Sequence, residues 1–221
     1  MKKILKQEEK MKKLIAISIA SIISIMSSFA IEYQGVAQNE DEADAIKKVN
    51  ETTVYARPFI DGRKFYILEG TYDAEIEKKI NRSRMNKKDT VYAETVRFQV
   101  PNHSTSKVCA ARDGVVISVV QDYKKNDEKV NYIIIYHGDK TYSQYTSLKA
   151  KSVKVRVGQK VTTGQLIATV GENEGTPWGQ QMGLTVYYYV KGKDNKPVAV
   201  SLPVHFKINE KITTVKETDI F

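Results

Sequence analysis

The sequence predicts an all-β domain, an antiparallel sandwich or barrel, behind a small hairpin-plus-helix appendage. Three observations carry this. From Val91 onward, short runs rich in Val, Ile, Thr and Tyr recur with turn residues between them. Val153 to Val157 alternates apolar residues with Lys154 and Arg156, the period of a half-buried strand. Hydrophobic residues make up 41% of 221 positions, enough for a core and too many for a disordered chain.

Taken in order, the first segment reads as an address. Lys12-Lys13 precedes Leu14 to Met26, built only of Ala, Ile, Leu, Met and Ser, and Ser28-Phe29-Ala30 follows. A basic start, a short apolar stretch and small residues at the end describe a signal peptide cut after Ala30, so residues 1–30 are assigned to it. The apolar stretch falls short of the roughly 20 residues of a membrane-spanning helix, the competing reading being an uncleaved anchor. Met11-Lys12-Lys13 repeats Met1-Lys2-Lys3, so either methionine fits as the start. The expected location is outside the cytoplasm, in the periplasm or extracellular envelope, with membrane contact only transient.

Residues 31–51 read as a polar, acidic linker holding one or two helical turns. Residues 52–90 read as a hairpin followed by a short helix. Its strands are Thr53-Val54-Tyr55 to Ile60 and Phe65 to Leu68 around an Asp61-Gly62 turn. The helix falls between Asp73 and Asp89, where Ile76 and Ile80 are four apart and acids precede bases. Its Lys78, Lys79 and Arg82 suit an anionic glycan, although a solvated face is the simpler reading. In the β domain, 91–206, strands are expected at Val115–Val120, Tyr132–Tyr136, Thr141–Tyr145, Val153–Val157, Leu166–Val170 and Leu184–Val190, with a tail over 207–221.

Charge and composition exclude several functions. The formal charge is +9, but the first 30 residues hold six Lys and two Glu, and without them it is +5. That is no signature of nucleic-acid binding. A single Cys excludes a disulfide framework and multi-cysteine zinc modules, and Cys109, within Val108-Cys109-Ala110-Ala111, reads as a buried thiol.

Four consecutive stretches carry a resemblance. They are Val108 to Val116 with Asp113-Gly114; Asn131 to Asp139, continuing through Tyr142 to Leu148; Val153 to Val161 with Gly158, Gly164 and Gly171; and Leu184 to Val190, continuing to Lys196-Pro197-Val198. In this order they resemble the LytM-type (lysostaphin-like) zinc endopeptidase domain, which cuts peptidoglycan cross-bridges. The resemblance spans roughly residues 93 to 200 and implies a barrel-sandwich hybrid. It also implies a zinc held by an H-x-x-x-D motif and the second His of H-x-H, with further catalytic His in Y-x-H-L and H-x-H.

This sequence departs from the family at those positions. Ala93 stands for the first His and Arg97 for the Asp; a two-residue slip puts Gln99 there instead. Tyr145-Thr146-Ser147-Leu148 matches Y-x-H-L with Ser147 for His, and Gly183-Leu184-Thr185 matches H-L-H with both His lost. A catalytic zinc needs three protein ligands and one open position. No cofactor is therefore expected. The resemblance then implies a catalytically inactive binding or regulatory module at the cell wall, meeting peptidoglycan or a cell-wall amidase. A structural envelope protein and a divergent endopeptidase are the alternatives. The expected groove residues are Ala93, Arg97, Tyr145, Ser147, Gly183, Thr185 and Tyr187, the tyrosines forming walls. Alternation places Tyr187 and Tyr189 on one face and Tyr188 on the other.

Overall fold

The computed structural model of the chain describes residues 35–60, 66–69, 90–91, 95–100, 106–123, 130–171, 180–192, 195–208 and 210–215. The expected signal peptide, the helix between Asp73 and Asp89, the Asp61-Gly62 turn and Ala93 lie outside them.

The fold is all-β around one large sheet. Its strands are β1 (Val36–Ala37), β2 (Tyr66–Glu69), β3 (Thr90–Val91), β4 (Thr95–Val100), β6 (Gly114–Val120), β7 (Tyr132–Tyr136), β8 (Thr141–Thr146), β9 (Lys160–Val161), β11 (Gln180–Lys191) and β12 (Pro197–Leu202). The main order is β2-β4-β11-β8-β7-β6-β9, so the path is open and does not close into a barrel. Two pairs stand apart: β5 (Lys107–Cys109) with β10 (Leu166–Thr169), and β13 (His205–Ile208) with β14 (Lys211–Thr214). One continuous core gathers the sheet's inner face (Val96, Phe98, Leu184, Val186, Tyr188, Ile133, Ile135) with Val108, Ile167 and Phe206 of the small pairs. That is a sandwich, with the side-chain period of two deciding which residues enter it.

The expected linker is a helix, α1 (Glu40–Thr52), three turns and more rather than one or two. Its cap explains the length: Asn39 Oδ1 accepts from the Glu42 N–H at 2.9 Å, and the Glu42 carboxylate accepts from the Gln38 N–H at 2.7 Å. Glu40, Asp41 and Glu42 sit in the first turn, where the helix dipole favours acids. Ala43, Ile46 and Asn50 are buried, one stripe at helical spacing, and Asn50 Nδ2 donates to Pro203 O at 2.8 Å.

Among the described residues, the two arms of the hairpin expected over 52–68 do not pair with each other. Tyr55 bridges Phe206 and Phe59 bridges Val108, while β2 pairs with β4. Tyr55 N–H donates to His205 O (2.8 Å), Ala56 N–H to Ala111 O (2.7 Å) and Cys109 N–H to Pro58 O (2.9 Å). Residues 55–59 are thus a strap laid across the domain, bonded to partners far off in sequence. The expected tail likewise begins in the β13–β14 hairpin, and Val215 behind it is buried in the core. Val153–Val157 keeps the expected alternation, with Val155 buried between exposed Lys154 and Arg156, but forms no strand ladder. Lys154 N–H donates to Ile167 O at 2.8 Å, and at Gly158 the segment bonds to β6, its N–H donating to Val116 O at 2.7 Å. Gly158 (φ +83) and Gly164 (φ +81) take the left-handed conformation their turns require. Cys109 is buried, as its apolar surroundings imply.

Candidate functional site

β11 lies between β4 and β8, and its register assigns each side chain to a face. Gly183 stands opposite Arg97 on one side and Thr146 on the other; Thr185 stands opposite Thr95 and Gln144. Residues directly opposite share a face, so Thr95, Arg97, Gln144, Thr146, Gly183, Thr185 and Tyr187 share the outer face of the sheet. The intervening Val96, Phe98, Tyr145, Leu184 and Val186 face the core.

Of the expected groove residues, Arg97, Gly183, Thr185 and Tyr187 are therefore brought together. Tyr145 is not. It is fully buried on the core face, its hydroxyl accepting from the Ala111 N–H at 2.7 Å, and burial pushes its pKa up to about 12. It cannot wall a groove on the opposite side. Ser147 lies just past β8, half-buried, in a left-handed conformation (φ +60) that a residue bearing a Cβ rarely adopts, its carbonyl accepting from the Gly171 N–H at 2.8 Å. Ala93 is outside the described residues.

The outer face is closely filled. The hydroxyls of Thr95 and Thr185 are 2.8 Å apart, and Thr185 is buried. Gly183 leaves no room for a side chain: a Cβ there would lie 2.5 Å from Thr146 Oγ1. Arg97, opposite it, is half-buried. Further along, Tyr142 stacks on Tyr187 (centroids 5.4 Å, planes 16° apart), with Tyr189 edge-on to both and Tyr136 tilted against Tyr142. Tyr188 joins the main core instead, as alternation requires. Gly35 lies against the Tyr142 hydroxyl, where a Cβ would come within 1.7 Å, and β1 then pairs in parallel with Tyr189 and Val190. Tyr142 and Tyr187 are both buried, so they are packing residues more than walls.

A second polar group lies at the opposite face, around the β7–β8 turn. His137 Nδ1 is 2.7 Å from Asp113 O, and its Nε2 is 3.0 Å from Ser143 Oγ. A carbonyl only accepts, so Nδ1 carries the proton and Nε2 accepts from the serine hydroxyl. Burial, reinforced by the nearby Arg112 charge, pushes the ring's pKa down to about 4 and keeps it neutral, outweighing the hydrogen bond to Asp113 O. Arg112 pairs with Asp139 at 2.6 Å, donates to Thr141 Oγ1 at 3.1 Å and lies over the Tyr55 ring. Burial alone would raise Asp139, but hydrogen bonds from Thr141 and Arg112 hold it below the usual carboxylate range. Its signal in the sequence is the run His137-Gly138-Asp139 between the expected strands Tyr132–Tyr136 and Thr141–Tyr145.

Chemically, the outer face offers a guanidinium, a mutually satisfied hydroxyl pair and a glycine. None belongs to the Cys, His, Asp and Glu set that makes a tetrahedral zinc site. Among the described residues, no three His, Cys, Asp or Glu are grouped so as to hold a metal ion.

Residues 91–199 match Peptidase family M23. No curated protein matches the chain. Among solved structures, a chain of the SpoIIQ–SpoIIIAH pore-forming complex is similar, with 19% identity and a TM-score of 0.45, over 67% of this chain and 87% of that one. A zinc-containing peptidase from Vibrio cholerae is also similar, with 23% identity and a TM-score of 0.42, over 68% of this chain and 41% of that one.

Proposed function

From the premise that residues 91–199 belong to peptidase family M23, we propose that the chain is an exported, catalytically inactive member acting as a binding or regulatory module at the cell wall. The observation that carries this is the β4–β11 ladder, which sets Arg97 opposite Gly183 on the outer face, beside the Thr95–Thr185 hydroxyl pair. In the LytM-type pattern the positions of Arg97 and Thr185 hold zinc ligands and that of Gly183 a catalytic His. A fixed cation there repels a metal ion, and the threonine hydroxyls are engaged with each other. The residues present do not fit zinc, so no hydrolytic step is derived through it.

What the face can do is bind. A half-buried guanidinium at its centre can fork onto a carboxylate with two parallel hydrogen bonds. Peptidoglycan stem peptides present such carboxylates, and so do acidic side chains on a helix of a cell-wall amidase. Ser147 adds a short polar contact at the margin. The burial of Thr185 and Tyr187 favours a second reading, a structural envelope protein reusing the scaffold, because it leaves Arg97 and Ser147 as the accessible groups.

The test is retention of the purified chain on peptidoglycan sacculi, and of an amidase from envelope extract on the immobilised chain, alongside metal analysis after dialysis against zinc. Well under one zinc per chain with Arg97-dependent retention is expected. Tight stoichiometric zinc would refute the inactive reading, and no retention of either partner would leave the structural reading in its place.

A further inference from the structure

A row of bases runs along one edge of the domain, away from the outer-face residues described above. Residues 140 to 171 contain Lys140, Lys149, Lys151, Lys154, Arg156 and Lys160 and no Asp or Glu. The fold lays the last four of these out in a line. Lys151 N–H donates to Gln121 O at 2.9 Å, just past the end of β6, and Lys160 pairs with Val115 near its start. Between those anchors Gly158 N–H donates to Val116 O at 2.7 Å, so residues 151–160 run antiparallel beside β6. Gln121 and Val115 are six strand residues apart, about 20 Å. Lys151, Lys154, Arg156 and Lys160 are all exposed along that line. Lys149 and Lys107, also exposed, are brought to its Lys151 end, since Lys149 N–H donates to Thr169 O and Lys107 pairs with Thr169.

Among the described residues, the acids bordering the row are few. Asp113 is occupied, its Oδ1 accepting from the Thr163 N–H at 2.6 Å and from the Thr163 hydroxyl at 2.7 Å. Asp122 lies beside Gln121 at the Lys151 end.

We infer that this edge is a binding site for a linear polymer of phosphate or phosphodiester groups, held by backbone charge alone. Charge selects a polyanion, and a line of charges about 20 Å long matches an extended chain better than a single small anion. The neighbouring composition selects among polyanions. Residues 147 to 171 contain no Phe, Tyr or Trp, so the stacking platforms that hold single-stranded nucleic acid are missing from this stretch. Val155 is buried and Val153 and Val157 are half-buried, so the stretch presents no large exposed apolar side chain to insert into a lipid surface. Each exposed base contributes little alone, and the row acts through release of counterions from the polymer. This site does not depend on the reading of Arg97.

Binding of the full chain to long-chain inorganic polyphosphate, followed by fluorescence anisotropy across a salt series, tests it. The logarithm of affinity should fall against the logarithm of salt with a slope of about −3, four contacts at roughly 0.7 each. The variant Lys151→Gln/Lys154→Gln/Arg156→Gln/Lys160→Gln should bind at least tenfold more weakly with an unchanged melting temperature. Lys154→Gln/Arg156→Gln, which changes only the two residues flanking Val155, should show an intermediate loss. Lys47→Gln/Lys48→Gln/Lys191→Gln/Lys196→Gln removes the same charge from exposed positions elsewhere and should lose less than threefold. Equal losses in the two quadruple variants would overturn the site in favour of net charge. Tighter binding to oligothymidylate of equal charge would overturn it in favour of nucleic acid. Capture by phosphatidylglycerol vesicles with no binding of polyphosphate would overturn it in favour of a membrane surface.

Discussion

The side-chain hydroxyls of Thr95 and Thr185 meet at 2.8 Å across the β4–β11 ladder, two residue pairs along from Arg97 and Gly183 with the core-facing Val96–Leu184 pair between. The pair is self-satisfying: each hydroxyl has a partner in a place where Thr185 is shut off from water. Removing one partner strands the other, whereas removing both strands neither. Thr185→Val should therefore cost about 1–2 kcal/mol, and Thr95→Val/Thr185→Val should recover most of it. Chemical denaturation of the two variants and the double variant reads this directly. A double variant that is worse than the sum of the singles would mean that the hydroxyls serve some other neighbour.

Gly183 tests the same face sterically. Its missing Cβ is replaced by Thr146, whose hydroxyl oxygen would be 2.5 Å from an added methyl group. Gly183→Ala should destabilise the fold by about 1–3 kcal/mol, the usual range for overpacking. Thr146 is a side-chain obstacle, not backbone, so Thr146→Ala should relieve much of that cost. A thermal-melt double-mutant cycle with no coupling between the two positions would count against this packing.

The pH dependence of stability follows from His137. The folded ring is held neutral down to about 4, against an ordinary value of 6.5. Between those values the unfolded chain binds the proton and the folded one does not. Stability is thus complete above the ordinary histidine range and is lost as pH falls from about 6.5 toward 4, by up to about 3 kcal/mol. The contribution of Asp139, whose pKa is lowered, begins to be lost only within and below the usual carboxylate range. His137→Gln should flatten the stability profile between pH 6.5 and 4.5 while lowering stability at pH 7. An unchanged slope would assign the acid sensitivity to another group.

The parts of the fold legible in the sequence are those set by local periodicity. The β7 and β8 runs, the alternation of Tyr187, Tyr188 and Tyr189, and the left-handed glycines 158 and 164 all follow from side-chain period or turn chemistry. What escaped depends on partners distant in sequence. Tyr55 and Phe59 look like one arm of a hairpin until Phe206 and Val108 arrive beside them. Tyr145 shows the same limit at the site. Its motif places it two residues from Ser147, but only the register with Leu184 shows that it faces the core. Asn39 and Glu42 were a readable capping signal, three residues apart, and gave the helix that composition had presented as a linker.

Arg97 decides how the outer face is used. It stands where the LytM-type pattern carries a metal-binding acid, with Gly183 across from it on β11 and Glu69 across from it on β2, and it is only half-buried. If its guanidinium holds a partner carboxylate, the two parallel hydrogen bonds demand a planar fork, which lysine cannot supply. Arg97→Ala should then weaken binding to sacculi or to the captured amidase by roughly 2–4 kcal/mol, and Arg97→Lys should recover little of it. Both variants should melt within a few degrees of the parent, because the core under this ladder is Val96, Phe98, Met182 and Leu184 and none of these is touched. Full recovery by lysine would mean that the position supplies charge without geometry. A large drop in melting temperature with unchanged affinity would make Arg97 a structural residue.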